Sequence, residues 1–228
     1  MFVCDNCGRC CTDKAAQIAL TVGDLIRISE HLNASISSLF GKYIDFNPFR
    51  CDAPALYDYE IGLNIPCGFR QKERCIIYES RDLNSRLFPF WMINVQEDII
   101  DPNFGCLSRI KELKNNKIYL KYKKVVAEIL LSESELTDTI IDKIGARKQI
   151  DLRDYDEFYL LIDNYKDEHE FEERKIELAI KLRDNNFFNN FPKLIEAEIA
   201  DNLKLIEQIK INNAKLKEAE SIVKNGNC

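Results

Sequence analysis

The chain has 228 residues, of which 46% are hydrophobic, with 32 Lys and Arg set against 38 Asp and Glu for a net charge of -6. At about 100 to 200 residues per domain, that length holds one domain with an appendage or two small ones. The balance excludes a disordered or fibrous chain, no run approaches the roughly 18 apolar residues of a membrane span, and the interspersed charges leave no basic footprint for nucleic acid.

Residues 1–7 have neither a basic start nor an apolar stretch, so no secretory signal is expected and the location reads as cytoplasmic. There, nine cysteines are kept as thiols and metal ligands rather than as disulfides. Thr21-Val-Gly-Asp24 forms a capping box with Asp in place of Glu, and Leu25, Ile28 and Leu32 follow at helical spacing, which predicts a helix over 22–32. A second helix is expected from Ser35, carrying Leu39, Phe40 and Tyr43. Pro48, Pro54 and Pro66 make 45–67 read as loop with short extended pieces, and 76–78 and 91–95 read as strands.

Near residue 110 the pattern turns to charged stretches with helical apolar spacing, which divides the chain into a cysteine domain, 1–110, and a helical region, 111–228. Six lysines between Lys111 and Lys124 read as a solvated helix face. Helices are expected over 119–131, over 136–144 with Gly145 as terminator, and over 154–185. A turn is expected at 185–190, and Pro192 can open a further helix. From Leu194 to Ile222 an apolar stripe then runs among Lys and Glu, suited to packing on other helices or on a protein partner.

Eight of the nine cysteines fall between positions 4 and 106. Cys4, Cys7, Cys10 and Cys11 form a Cys-x2-Cys-x2-Cys-Cys run, in which two-residue spacing aims neighbouring thiolates at one ion and Gly8 supplies the freedom the turn needs. Cys67 and Cys75 bracket a polar loop, and Cys51 and Cys106 stand singly. Tetrahedral thiolate sites suit zinc or an iron-sulfur cluster, and the first three cysteines match the start of bacterial ferredoxin runs, which leans the reading toward a cluster. Cys228 reads as incidental, while Cys51 reads equally as a packing residue or a ligand.

The order of Cys-x2-Cys-Gly-Arg-Cys-Cys, Leu-Thr-Val-Gly-Asp-Leu-Ile-Arg-Ile, Cys67 to Cys75, Cys-Ile-Ile-Tyr-Glu-Ser-Arg and Arg-Leu-Phe-Pro-Phe resembles the YkgJ-type cysteine-cluster family over about residues 1–110. The resemblance implies chelation of zinc or iron by Cys4, Cys7, Cys10, Cys11, Cys67, Cys75 and Cys106, with Arg86, Phe88 and Pro89 packing and hydrogen-bonding around the cofactor. It departs where the family has Arg-Pro-x-x-Cys-Arg: Asp82 replaces the proline and Ser85 the cysteine, so Cys106 or Cys51 is expected to substitute. The domain also occurs in proteins similar to flagellin lysine N-methylases, although no glycine-rich dinucleotide-type loop is present here.

With His31 and His169 as its histidines, the chain has few parts for a triad mechanism. His31 reads as a helix-end cap and His169 as solvated, Asp98 and Asp101 as turn residues, and Tyr155, Phe158, Tyr159 and Tyr165 as core or interface. The expected architecture is mainly α, with irregular cysteine-bearing loops and a few short strands. Two functions follow: a redox or catalytic cluster in methyl or electron transfer, or a structural zinc holding a binding module together.

Overall fold

The computed structural model describes residues 8–12, 18–51, 53–87, 117–146, 149–183 and 185–225. The fold is mainly α, with short antiparallel strands in its first half and long helices in its second, as the sequence predicts. The strand 91–95, Asp98, Asp101, Phe88 and Pro89 lie outside the described residues.

After a short turn of helix, α1 (Arg9–Thr12), comes α2 (Val22–Leu32). Both halves of the predicted capping box are present on α2, with Thr21 as N-cap, and Asn33 closes the helix in the left-handed region at φ 49°. Following α3 (Ile36–Leu39), β1 (Ile44–Arg50) and β2 (Leu56–Leu63) form an antiparallel hairpin in register from Ile44↔Leu63 to Arg50↔Tyr57. This corrects the loop expected at 45–67. Ile44 and Phe46, and Tyr57, Tyr59, Ile61 and Leu63, alternate into the core, and Pro48 is tolerated because β1 is the edge of the sheet.

Two partners share the other edge of β2. Leu20 N–H donates to Ile61 O and Leu63 N–H to Ile18 O, while β5 (Gln149–Asp151) pairs with Leu56 to Asp58. The sheet of the first half is thus completed by a strand from the second. A second hairpin, β3 (Arg70–Gln71) with β4 (Arg74–Cys75), precedes a 3-10 turn, Tyr78–Ser80, and α4 (Leu83–Leu87). The strand expected at 76–78 is therefore displaced to 74–75, where the tight turn through Lys72 at φ 55° sets the pairing.

Four expectations are corrected in the helical half. One continuous helix, α5 (Lys117–Lys143), replaces the two expected there, because Ser132-Glu-Ser-Glu135 contains no breaker. It stops at Gly145, φ 68°, whose N–H donates to Asp142 O while Ala146 N–H donates to Ile141 O. The long helix expected at 154–185 splits into α6 (Asp156–Asn164) and α7 (Glu168–Leu182), since Asp167 caps the second by accepting from Glu170 N–H. The turn expected at 185–190 is helical, and Pro192 lies inside α8 (Asn185–Asp201) rather than at its start. Asn202 then accepts from Leu205 N–H and divides the long stripe into α8 and α9 (Leu203–Asn225).

Two clusters make up the core. The larger joins α2, the β1–β2 hairpin and β5 to α7, α8 and α9, with Phe46 against Phe188 and Phe191 at ring separations of 5.1 and 4.4 Å. The smaller packs Leu83 and Leu87 of α4 against Tyr119, Tyr122, Val126 and Ile129 of α5 and Leu216, Ala219 and Val223 of α9. In the lysine run, Lys117, Lys121 and Lys124 are exposed but Lys123 is buried, so that helix face is only partly solvated, and 111–116 lie outside the described residues.

Candidate metal centre

Gly8 and α1 set the first cysteines. Gly8 stands at φ 77°, a conformation that favours glycine, and a Cβ there would fall 2.3 Å from the Arg70 guanidinium carbon and displace the end of that side chain. Cys11 N–H and Thr12 Oγ1–H both donate to Gly8 O, closing the turn that puts Cys10 and Cys11 side by side in the chain. Cys67 N–H donates to Cys11 O at 2.7 Å, joining the N-terminal turn to the loop after β2.

Each of the loop cysteines stands beside a buried anchor. Phe69 is fully buried and stacks on Tyr43 with centroids 4.4 Å apart, and a Cβ on Gly68 would meet Lys42 O at 2.8 Å, so Cys67 is held against the body of the fold. Cys75 pairs across the β3–β4 ladder with Arg70 and is followed by buried Ile77. His31 Nε2–H donates to Ile76 O rather than capping its own helix, which corrects the capping reading and ties α2 to this loop.

Cys11, Cys67 and Cys75 lie within electrostatic reach of one another and are all half-buried. Burial pushes the Cys67 thiol up to about 11, and negative charge on Cys11, Cys75 and Asp82 adds to it. Burial also raises Cys75, with Cys11 and Asp82 adding and Arg81 opposing. Thiols gathered this way resist ionisation alone and ionise readily around a cation. As donors they suit zinc and iron, the soft-ligand metals.

Asp82 borders this group. It caps α4, accepting from Ser85 N–H at 2.7 Å and Ser85 Oγ–H at 2.6 Å, and burial first, then Asp24, raises its carboxyl. Behind it lies a buried network that the sequence did not disclose. Asp24 accepts from Leu83 N–H at 3.0 Å and pairs with Arg27 at 2.6 Å, and Arg27 also pairs with Glu133 of α5 at 2.7 Å. Glu133 further accepts from Thr21 Oγ1–H and Asn212 Nδ2–H, while Thr137 Oγ1 accepts from Val22 N–H. Gly23 leaves the room, for a Cβ there would stand 2.0 Å from a Glu133 oxygen.

Arg86 fastens the loop to the helices. Its guanidinium donates to Arg81 O and Glu79 O at 2.8 and 2.6 Å and pairs with Glu220 of α9. In the sequence Glu133 and Glu220 look like solvated charges, so no local signal marks them. The capping box at Thr21 was the one visible part of the network.

Among the described residues, no three His, Cys, Asp or Glu side chains are close enough to hold an ion by themselves. Cys4, Cys7 and Cys106 lie outside the described residues, and of Cys10 only the backbone is described. Cys51 does not join the group. It donates to Asp58 at 3.3 Å at the end of the β1–β2 hairpin opposite to Cys67, about 20 Å away at about 3.3 Å per residue, which corrects its expected service as a substitute ligand. His169 is exposed, 3.8 Å from Glu173. No described helix is long and apolar enough to cross a membrane.

The family model CxxCxxCC, described as "putative zinc- or iron-chelating domain", matches residues 3–119, just over half of the chain. No solved structure matches the chain.

Proposed function

The chain belongs to the CxxCxxCC family of chelating domains, and on that premise we propose that its cysteines hold iron or zinc between the α1 turn and the β3–β4 hairpin. The observation that supports this is the Cys67 N–H···Cys11 O hydrogen bond, which joins the α1 turn to the loop carrying Cys67, with Cys75 following in the next hairpin and all three cysteines half-buried. Cys4, Cys7 and Cys106 complete the ligand set, and Arg86 holds the loop that follows Cys75. The reducing cytoplasm suits such thiols.

Two uses of the metal fit these residues. The Cys-x2-Cys-x2-Cys run supports an iron-sulfur cluster for electron or methyl transfer. The anchoring of Cys67 and Cys75 beside Phe69 and Ile77 supports a zinc that braces a binding module. In that second use the helical half presents Leu131, Leu203 and Ile211, all exposed, to a protein partner.

Metal analysis and acid-labile sulfide on chain purified without oxygen test the proposal. Stoichiometric iron with sulfide gives the cluster, and zinc alone gives the brace. Changing Cys4, Cys7, Cys10, Cys67 or Cys75 singly to Ser should lower bound metal to a small fraction of the wild-type amount. Full metal content in all five variants would refute chelation at this place.

A further inference from the structure

We propose that Cys11 and Cys67 are a redox pair that closes to a disulfide in the metal-free chain, so that oxidation and chelation compete for the same two thiols. The bond stands on geometry alone, and the competition rests on the chelation reading.

The geometry starts from one hydrogen bond. Cys67 N–H donates to Cys11 O at 2.7 Å. An amide nitrogen lies about 1.46 Å from its own Cα, and a carbonyl oxygen about 2.4 Å from its own, across bonds of about 1.23 and 1.52 Å at a trigonal carbon. Laid end to end, these lengths cap the separation of the two Cα atoms at about 6.6 Å, and any bend in the path shortens it. Disulfides join Cα atoms about 4.4–6.8 Å apart and require backbone movement only beyond about 7 Å. Charge on Cys11 also acts on the Cys67 thiol, as expected of sulfurs carried by neighbouring Cα atoms.

Both backbones are held before any oxidation. Cys11 N–H donates to Gly8 O, and Cys67 O accepts from Arg70 N–H at 3.1 Å, so the Cys67–Cys11 bond joins two closed turns. Both cysteines are half-buried rather than enclosed, which leaves a small oxidant a way in. The other described cysteines lack this link. Cys75 connects to Cys67 only through Arg70, its partner across the β3–β4 ladder, a two-step path that sets no such limit, and Cys51 stands at the opposite end of the β1–β2 hairpin. Cys10 and Cys11 are adjacent in the chain, with Cα atoms about 3.8 Å apart, below the disulfide range.

The chemistry balances with a low-molecular-weight disulfide, oxidised glutathione, as the oxidant. One cysteine gives its proton to water and attacks the glutathione S–S bond, which forms a mixed disulfide and releases one glutathione thiolate. The second cysteine, also deprotonated, attacks the protein sulfur of that mixed disulfide, the Cys11 Sγ–Cys67 Sγ bond forms, and the second glutathione leaves as its thiolate. The chain loses two electrons and two protons, and the oxidant takes the electrons. Metal binds the deprotonated thiol, so two sulfurs joined in this way have no thiolate to offer zinc or iron.

The test is disulfide mapping on the full chain, stripped of metal with a chelator, reduced, exposed to oxidised glutathione and quenched with iodoacetamide. Tandem fragmentation assigns the sulfurs, because Cys10 shares a tryptic peptide with Cys11, and Cys51 one with Cys67. The expected product has Cys11 linked to Cys67, a link lost in Cys11→Ser and Cys67→Ser and kept in Cys51→Ser. Preloading with Zn2+ should suppress the link, and chain already linked should take up only a small fraction of the Zn2+ that reduced chain binds. A dominant link between any other two cysteines, or glutathione left on Cys11 with Cys67 still a thiol, overturns the pair. Reduced chain that binds Zn2+ but never forms the link when stripped overturns it too and leaves chelation standing. A Cys11–Cys67 link that forms equally fast with and without Zn2+ overturns the competition, and with it chelation by these two cysteines.

Discussion

At the scale of single residues, glycines separate space from conformation. Gly23 has an ordinary φ but its Cβ position is filled by the Glu133 carboxylate, whereas Gly145 has φ 68° and nothing within 4 Å of its Cβ position. Gly23→Ala should therefore push Glu133 off Arg27 and cost about 1–3 kcal/mol or more, as overpacking does, while Gly145→Ala should cost only about 1 kcal/mol of backbone strain. Urea unfolding of the two variants would rank them, and equal losses would mean that Glu133 moves aside freely. Tyr59 gives a pH signature. Its hydroxyl donates to Ala179 O at 2.7 Å, and burial pushes its ionisation up to about 12 from the ordinary 10.0. Because the folded state holds that proton more tightly, the contribution of Tyr59 is full below pH 10 and is lost as pH rises toward 12. Tyr59→Phe should be less stable by about 0.5–1.5 kcal/mol at pH 8, and the gap to wild type should narrow between pH 10 and 12. A gap that stays constant over that window would remove Tyr59 from the alkaline response.

At the scale of elements, what was legible in the sequence was what local chemistry decides. The capping box at Thr21, the stop at Gly145 and the cysteine turn around Gly8 each depend on residues a few positions apart. What failed was decided by distant packing. Pro48 suggested a loop, yet the phenylalanines of α8 cover Phe46 and Tyr59 and hold the hairpin together. Pro192 suggested a helix start, yet Phe188, 5% exposed, and Phe191, fully buried, anchor the turns around it and carry the helix through the missing N–H. The same reasoning explains why Glu133 went unseen: its partners Thr21, Arg27 and Asn212 lie on other elements. Pro192→Ala should restore a donor to Phe188 O and stabilise the chain by about 1–3 kcal/mol, read from the urea midpoint. A loss of stability would show that the proline ring itself fills core volume.

At the scale of the whole molecule, the question is whether the metal half can stand without the helices. The matched family segment, 3–119, ends as α5 begins, and by composition the change near residue 110 looks like a boundary. The contacts run across it. A chain ending at residue 116 would lose Glu133 and Thr137 from the start of α2, β5 from the free edge of β2, Glu220 from Arg86, and Phe188 and Phe191 from Phe46. Arg27 and Asp24 would keep each other, but Phe46 and Tyr59, both buried in the full chain, would lose the α8 phenylalanines that pack on them. On the proposed reading, metal would act on the loops of Cys11, Cys67 and Cys75 and would not replace that apolar contact. Residues 1–116 supplied with Zn2+ should therefore show local protection around the cysteines in amide exchange but no cooperative melt by circular dichroism. The full chain without metal should show the reverse: a cooperative melt governed by the shared core, with fast exchange at 67–75. A cooperative melt from residues 1–116 with Zn2+ would mean that chelation, rather than the shared core, supplies the folding energy of the first half.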